Sequence, residues 1–539
     1  MDGGASAITN WLLGPEPTGE GVASHLWPRW LFLRALGLIY FSAFCSLLFQ
    51  IKGLIGPDGI LPAGDYLQAV SRYAGAYRYW FAPTLFWFSS GNRMLMLVCW
   101  VGLMASILVI LNIMPRGMLL VCFLTFLSFV AAAQDFSGYQ SDGMLLSAGF
   151  ISLFFAPPGL RPGLGRAYAP SRASLFLLQL VWFTIYFESG VAKILGGDPE
   201  WRNFTAMDDY YQNGPLPTWI GWYAQQLPHW FHASTAFLTL AVELVIVWMF
   251  FLPRRFRIVC FFIVTPFEIG IILTANYTFL NYLVLSLGIL LLDDRFLAPL
   301  FNRKWLAWLA REPVLEPANA SAAASSLTWA RQLVEPCRRT VCGFCLGWTF
   351  YAIVALLIGM ILPMLPLPRG PVRLLDPFRI ANRYGLFGIM TRGRYEIEFQ
   401  GTRDAKTWIT YSFRYKPQDP SKPPGIYAPY QPRFDWNLWF ATLGPWREFP
   451  FVVYTEERLL KNSPEVLALI AGNPFPDSPP QKVRAVIWQY WFTDLKTKRE
   501  TGMWWRRELL GLYAPALERT PDGKIAVVES SVVAPPPSP

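Results

Sequence analysis

The sequence predicts a multipass α-helical membrane protein of about eight or nine spans, carrying a C-terminal, mainly β, sandwich-like soluble domain. Three observations predict it. Hydrophobic residues make up 53% of the 539 and charged residues only 15%, against about 25% charged in soluble domains. Apolar runs recur up to about residue 366. Beyond 370 the pattern changes to alternating polar and apolar residues, the period of half-buried strands. A net charge of +10 raises the question of nucleic acid. The arginines, however, lie in short connections between apolar runs, where membrane topology accounts for them, and no nucleic-acid partner is expected.

Residues 1–29 form an N-terminal segment read as cytoplasmic. The apolar runs lie at about 30–50, 94–113, 117–134, 143–157, 174–194, 233–252, 258–274, 279–292 and 346–366, a helical membrane domain over 30–366. Those at 143–157 and 279–292 fall short of the ~20 residues a straight span needs. The first run begins near Trp30 without a small-residue cleavage site after it and reads as a signal anchor. With the N-terminus inside, inner connections carry Arg116, then Arg161, Arg166 and Arg172, then Arg254, Arg255 and Arg257, then a cluster from Arg295 to Arg339. The connections near 135–142 and 275–278 carry none, and that at 51–93 is mixed. Nine spans put the C-terminal domain outside the cytosol, in a lumen or periplasm; an even count reverses it. An inner linker covers about 293–345, with a flexible alanine- and serine-rich stretch at 312–328. Of the formal glycosylation sequons, Asn203 and Asn276 fall outside in this topology and Asn319 inside.

The C-terminal domain is placed at 370–515. Arg394-Tyr-Glu-Ile-Glu-Phe399 and Thr407-Trp-Ile-Thr-Tyr-Ser-Phe-Arg-Tyr415 alternate as antiparallel strands around a turn at 400–406. The stretch 447–472 reads as helical, with Leu459, Leu460, Val466, Leu467 and Leu469 on its apolar side. An aromatic-rich return segment follows, from Trp488 to Tyr513, and 516–539 is read as a disordered tail.

Cys45, Cys99, Cys122 and Cys260 lie in apolar runs and Cys337, Cys342 and Cys345 precede the last one. The C-terminal domain has none, and so no disulfide framework. Cys342-Gly-Phe-Cys345 is a lone CxxC, and His229-Trp-Phe-His232 is a histidine pair without a carboxylate in its motif. Both are weaker as metal or redox signals than as buried thiols and an interfacial aromatic corner. No metal and no cofactor is expected.

The chemically most informative stretch is Glu188-Ser-Gly-Val-Ala-Lys193, followed by Asp198-Pro-Glu-Trp201-Arg-Asn203 and Pro215-Leu-Pro217. An ionisable group in hydrocarbon costs roughly 2.5–3.5 kcal/mol on insertion scales, so Glu188 and Lys193 need partners or a wet cavity. At i and i+5 they are about 140° apart on a helix and need not meet each other. Asp142, Glu243 and Glu268 are the apolar-embedded carboxylates available to the lysine.

Residues of both halves together carry a family resemblance. Tyr139-Gln-Ser-Asp142-Gly143, Ser189-Gly-Val-Ala-Lys193, Gly197-Asp-Pro-Glu-Trp201-Arg-Asn203, Pro215-Leu-Pro217, Asn276-Tyr277 and Leu292-Asp-Asp294 stand in the first half. Pro377-Phe-Arg379, Asn382-Arg-Tyr-Gly-Leu-Phe387, Tyr415-Lys-Pro417, Gln431-Pro-Arg-Phe-Asp-Trp436, Asn473-Pro-Phe-Pro476 and Trp504-Trp-Arg506 stand in the second. In order and spacing the chain resembles the lipase maturation factor family over about 30–515. It departs from that family's usual residues at Ser147, Thr184, Tyr210, Gly214, Ala275 and Tyr430. The resemblance implies a maturation or assembly factor, for which a non-catalytic role is preferred to an enzymatic one, in eukaryotes of the endoplasmic reticulum membrane; in a bacterium the inner membrane is expected. It implies bilayer lipid around it and secreted client proteins, notably dimeric lipases, met by the outer domain.

A rival reading comes from the Gly190–Lys193 motif, which is also similar to one in vitamin K-dependent gamma-carboxylase. There Lys193 would be a base, Glu188 its modulator, and a quinone-like cofactor would lie between helices. Structural ion pairing is preferred to catalysis for both residues. Trp201 and Asn203 are expected to line an outer entrance. Arg433 and Asp435 are expected to form a bidentate pair locking the two domains together. Tyr384, Phe387 and Trp436 are aromatic candidates for client contact, with core packing the preferred reading.

Overall fold

The computed structural model describes residues 24–301, 324–529 and 532–533, with the backbone alone for 301, 324–336 and 529. The expectations for 1–23, for the linker over 302–323 and for the last six residues lie outside that range. In lipid a chain must satisfy its backbone polar groups internally, and the apolar runs accordingly form helices. Nine are Leu26–Ile55 (α1), Asn92–Ile110 (α2), Pro115–Ala132 (α3), Gln140–Phe155 (α4), Arg172–Leu195 (α5), His229–Leu244 (α6), Arg254–Thr274 (α7), Leu280–Leu291 (α8) and Ala324–Ile361 (α9). α6 continues as a 3-10 segment, Ile246–Phe251.

Seven of these, α6 being counted with that segment, are long and apolar enough to cross a membrane. The short runs noted in the sequence are α4, of 16 residues, and α8, only about 18 Å long at 1.5 Å per residue. Both are almost wholly buried within the bundle. Protein surrounds them in place of lipid, so their length need not match the bilayer.

The C-terminal domain is a single antiparallel sheet: Arg394–Thr402 (β1), Ile409–Thr410 (β2), Lys482–Phe492 (β3), Trp505–Leu512 (β4), Ala516–Arg519 (β5) and Ile525–Glu529 (β6). The order is β2-β1-β3-β5-β6, with β4 also on β3. β1 and β3 are in register over nine pairs, Ile397 opposite Ile487. Helices Arg433–Ala441 (α10) and Phe451–Leu460 (α11) pack on this sheet, where a sandwich would have a second sheet. The sandwich expectation gives way for a physical reason: only Ile409 and Thr410 of the 407–415 alternation pair with a neighbour, and apolar helices supply the covering face. The tail expectation is corrected as well. β5 and β6 form a hairpin around Thr520-Pro-Asp-Gly523-Lys524, in which Thr520 N–H bonds Lys524 O at 2.9 Å and Gly523 takes φ +79°. The x-Pro-Asp-Gly-x signal stood in the sequence, obscured by the proline-rich end beyond it.

The domain sits on one end of the bundle. At Gly53 of α1 a Cβ would lie 2.4 Å from Glu465 O, so only glycine lets the helix approach the domain's backbone this closely. The seam is continuous with the core: Phe136 of the α3–α4 connection packs edge-on against Phe451 of α11 at 5.6 Å.

Glu456 of α11 is fully buried, and burial pushes its carboxyl well above the usual range. The folded state then holds a proton that the unfolded chain releases above about pH 4.5, so stability falls as pH rises through that value towards the folded pKa, by about 1.4 kcal/mol per unit. Glu456→Gln should flatten this slope. Thermal melting of the detergent-solubilised protein should show the variant more stable at pH 8, with the difference vanishing near pH 4; equal slopes would refute the assignment.

Candidate functional site at the seam between the two domains

Lys193, near the C-terminal end of α5, is 2% exposed. Its Nζ lies 2.8 and 2.9 Å from the two carboxylate oxygens of Glu243 on α6 and donates to Leu386 O at 2.9 Å. The indole of Trp201 lies 5.0 Å from the same nitrogen, within cation–π range. The pairing depends on Gly190, where a Cβ would come within 2.9 Å of Glu243 Cβ and 2.8 Å of a Leu244 methyl. Glu188 and Lys193 do not meet. Glu188 instead accepts the Tyr384 N–H at 2.7 Å.

That bond belongs to a series. Residues 382–391 of the C-terminal domain lie across the bundle as an irregular strap, whose backbone groups need partners. Side chains of the membrane domain supply several of them, and the strap's Asn382 reaches back to the bundle. Asn382 donates to Gly143 O at 2.9 Å, Gln140 accepts Gly385 N–H at 3.2 Å and Ser189 accepts Leu386 N–H at 3.2 Å. Trp201 Nε1 donates to Phe387 O at 2.9 Å, Asp198 accepts Met390 N–H at 2.7 Å and Asn213 donates to Thr391 O at 2.6 Å. Phe387 takes φ +56°, a left-handed conformation rare for a bulky residue, and its ring packs on Tyr210 and Tyr277 at 5.6 and 4.9 Å.

Three further contacts fasten the seam. Asn276 accepts the N–H groups of Tyr427 and Ala428 at 2.7 and 3.1 Å and donates to Leu216, Pro217 and Gly425 carbonyls. Arg394 of β1 donates to the carbonyls of Gln212, Gly214 and Pro215, and pairs with Glu396. Arg433 forms a bidentate pair with Asp142 of α4 at 2.7 and 2.8 Å and also donates to Phe136 O, with both side chains fully buried. The expected Arg433–Asp435 pair is thereby corrected. Both residues stand on α10 but point to different neighbours, and Asp435 accepts Tyr415 and Lys416 N–H groups at 3.3 and 3.2 Å. Burial pushes the Asp435 carboxyl up to about 6, against the pull of those N–H groups and of Lys416. The lock between domains exists, with Asp142 as its carboxylate.

The seam encloses a cavity of about 1370 Å³. Lys193, Trp201, Phe387 and Trp436 line it, with Tyr210 and Glu268. Tyr384 and Trp436 are buried and Phe387 is half-buried, so these aromatics pack the seam. Asn203 is exposed at the end of the short helix Pro199–Arg202 and does not line the cavity. His229 bonds Asp208 at 3.0 Å while His232 is buried beside Tyr211. Residues that the sequence reading left without a role in the seam include Gln50, Asn213, Asn276 and Arg394. Asn276 and Arg394 each stood within a quoted motif or strand, without a signal that they face another domain.

A rate-setting lysine base needs an amine free to take a proton. Lys193 is held by a carboxylate, a carbonyl and an indole, and the observation that motivated the carboxylase-like reading is met by pairing. Breaking a buried pair by removing one partner costs about 3–5 kcal/mol, whereas apolar replacement of both is often neutral. Asp142→Leu and Arg433→Met should each lower the melting temperature and expose the 366–382 connection to protease, and the double variant should recover most of the loss. A double variant worse than either single would show that the pair does not act as a unit.

Comparison with known proteins fits this architecture. Residues 27–299 match the lipase maturation factor transmembrane domain and 380–515 the lipase maturation factor C-terminal domain. The chain is 30% identical to lipase maturation factor 1 of Bos taurus, over 91% of this chain and 89% of that protein. It is also 30% identical to lipase maturation factor 2 of Homo sapiens, over 91% and 82%, and to that of Gallus gallus, over 93% and 83%. No solved structure matches. Both matched domains and the seam that joins them identify the chain as a member of the lipase maturation factor family.

Proposed function

We propose that this protein is a membrane-embedded maturation factor that promotes folding, assembly or export of particular secreted proteins, lipases among them, with its C-terminal domain facing the compartment where those clients fold. The observation that carries the reading is the family match across both domains, joined to a seam that holds the C-terminal domain rigidly on one end of the bundle. Charge supports the orientation. The helix ends that touch this domain, near Gln50, Asp142, Lys193 and Asn276, adjoin connections poor in arginine apart from the mixed 51–93 stretch. Arg116, Arg161, Arg166, Arg172, Arg254, Arg255 and Arg257 lie at the opposite ends of the same helices. With nine crossings, the domain then lies in the endoplasmic reticulum lumen of a eukaryotic cell or the periplasm of a bacterium.

In this reading the polar residues at membrane depth shape a scaffold and carry out no reaction on the client. The test is secretion of a client lipase from cells lacking their own maturation factor, scored as secreted activity per molecule of lipase antigen. The full chain should restore it. The double variant Lys193→Met/Glu243→Gln, which removes both charges while keeping side-chain length, should retain about half or more of that rescue. Loss of rescue by a variant with unchanged expression and melting temperature would overturn the scaffold role and return Lys193 to chemistry. Crosslinking from the C-terminal domain identifies the client directly.

A further inference from the structure

The cavity's lining reaches the outer surface of the bundle along α6 and α7. α6 and α7 both pack on the 3-10 segment Ile246–Phe251 that joins them; beyond it α6 leans on α5, while α7 leans on α8 and the short helix Trp219–Gln225. The cavity occupies the gap, with Leu238 of α6 and Ile263, Pro266 and Gly270 of α7 at its exposed margin. Pro266 and Gly270 are i and i+4, and so share one helix face. A Cβ at Gly270 would meet no heavy atom within 4 Å. This margin runs along apolar spanning helices from their middle at Leu238 and Ile263 to the last turns of α7 at Gly270, within hydrocarbon depth.

Inside, the wall is mainly apolar and aromatic, and besides the Lys193–Glu243 pair and Asn437 it holds a buried polar node around Glu268. Glu268 accepts from Tyr186 Oη and from Asn281 Nδ2, each at 2.6 Å. That bond fixes the orientation of the Asn281 amide, because the carboxylate takes the N–H side. Asn281 is 4% exposed and lines the cavity, and its Oδ1 has no hydrogen-bond partner among the described residues. A buried acceptor left in this way costs roughly 1–3 kcal/mol, so the site calls for a hydroxyl or amide donor. Charge narrows the choice. Lys193 is the one cation among the described lining residues and is already engaged by Glu243, whereas Asp135, Glu243, Glu268 and Glu448 are carboxyl groups. An anionic headgroup finds no free counter-charge there.

We propose that the cavity binds a neutral, hydroxyl-bearing lipid of the diacylglycerol or sterol kind, which enters from the bilayer between α6 and α7 and donates its hydroxyl to Asn281 Oδ1. The apolar body then fills the space under the strap, against Phe387 and Trp436. At about 1370 Å³ the cavity exceeds the ~300–1,000 Å³ usual for drug-sized ligands, as a lipid requires.

The test uses the full chain in phosphatidylcholine nanodiscs with photoactivatable diacylglycerol, sterol and phosphatidylglycerol probes, and maps the labelled peptides. At least one neutral probe should label α6, α7 or α8 and be displaced by its unlabelled counterpart, and which probe does so identifies the lipid. Asn281→Leu, which deletes the acceptor, should lower that labelling about tenfold. Gly270→Phe, whose ring points into open space at the margin and leaves packing intact, should lower it as far by closing the entrance. Labelling unchanged in Gly270→Phe, or equal labelling of the same peptides by phosphatidylglycerol, would overturn the proposal.

Discussion

The guanidinium of Arg433 closed on Asp142 is the contact on which the two-domain structure depends. It joins the first turn of α4 to the first turn of α10, places a full positive and a full negative charge out of reach of water, and adds the Phe136 carbonyl as a third ligand. Such a pair is strong only when complete, because either partner alone would be a buried unpaired charge. The bundle and the C-terminal domain are therefore fixed relative to each other in one register, and the neighbouring seam contacts can be short and specific.

Those contacts solve a problem of backbone accounting. A strap of irregular chain across the end of a helical bundle has N–H and C=O groups that neither a sheet nor a helix satisfies. The membrane domain answers with side chains for several of them: Gln140, Glu188, Ser189, Asp198 and Trp201 all bond the strap's main chain. Polar residues that look costly at membrane depth are in this way partners prepared for a particular loop. The strap in turn roofs the cavity, carrying Phe387 in a left-handed conformation that aims its ring at Tyr210 and Tyr277.

Much of this was legible from the residues, and what was not has a physical cause. The apolar runs located the nine helices because hydrophobicity over some twenty residues is a strong and local signal. Burial cost singled out Glu188 and Lys193, and left Glu243 as one of three possible partners for the lysine. It could not choose among them, because the choice depends on how α5 and α6 approach at Gly190. For Arg433, sequence proximity suggested Asp435. The true partner lies 291 residues away, and no periodicity encodes a contact across two domains. The sheet was undercounted for a different reason: β3 carries Trp488, Tyr490 and Trp491 and β4 opens on Trp505, residues equally at home in a core or at a bilayer surface.

The fate of Lys193 decides between a scaffold and an enzyme on chemical grounds. An ammonium has three donors. Here a carboxylate takes up the charge, a carbonyl from the other domain takes a further hydrogen bond, and an indole face covers what remains. A base in that position would have to abandon Glu243 as it lost its proton, leaving a buried carboxylate unpaired. The same three contacts serve a structural purpose without any such cost: one atom ties α5 to α6 and both to the strap. The lysine, the strap and the cavity beneath it thus form a single constraint, in which the position of the C-terminal domain and the shape of the cavity cannot change independently.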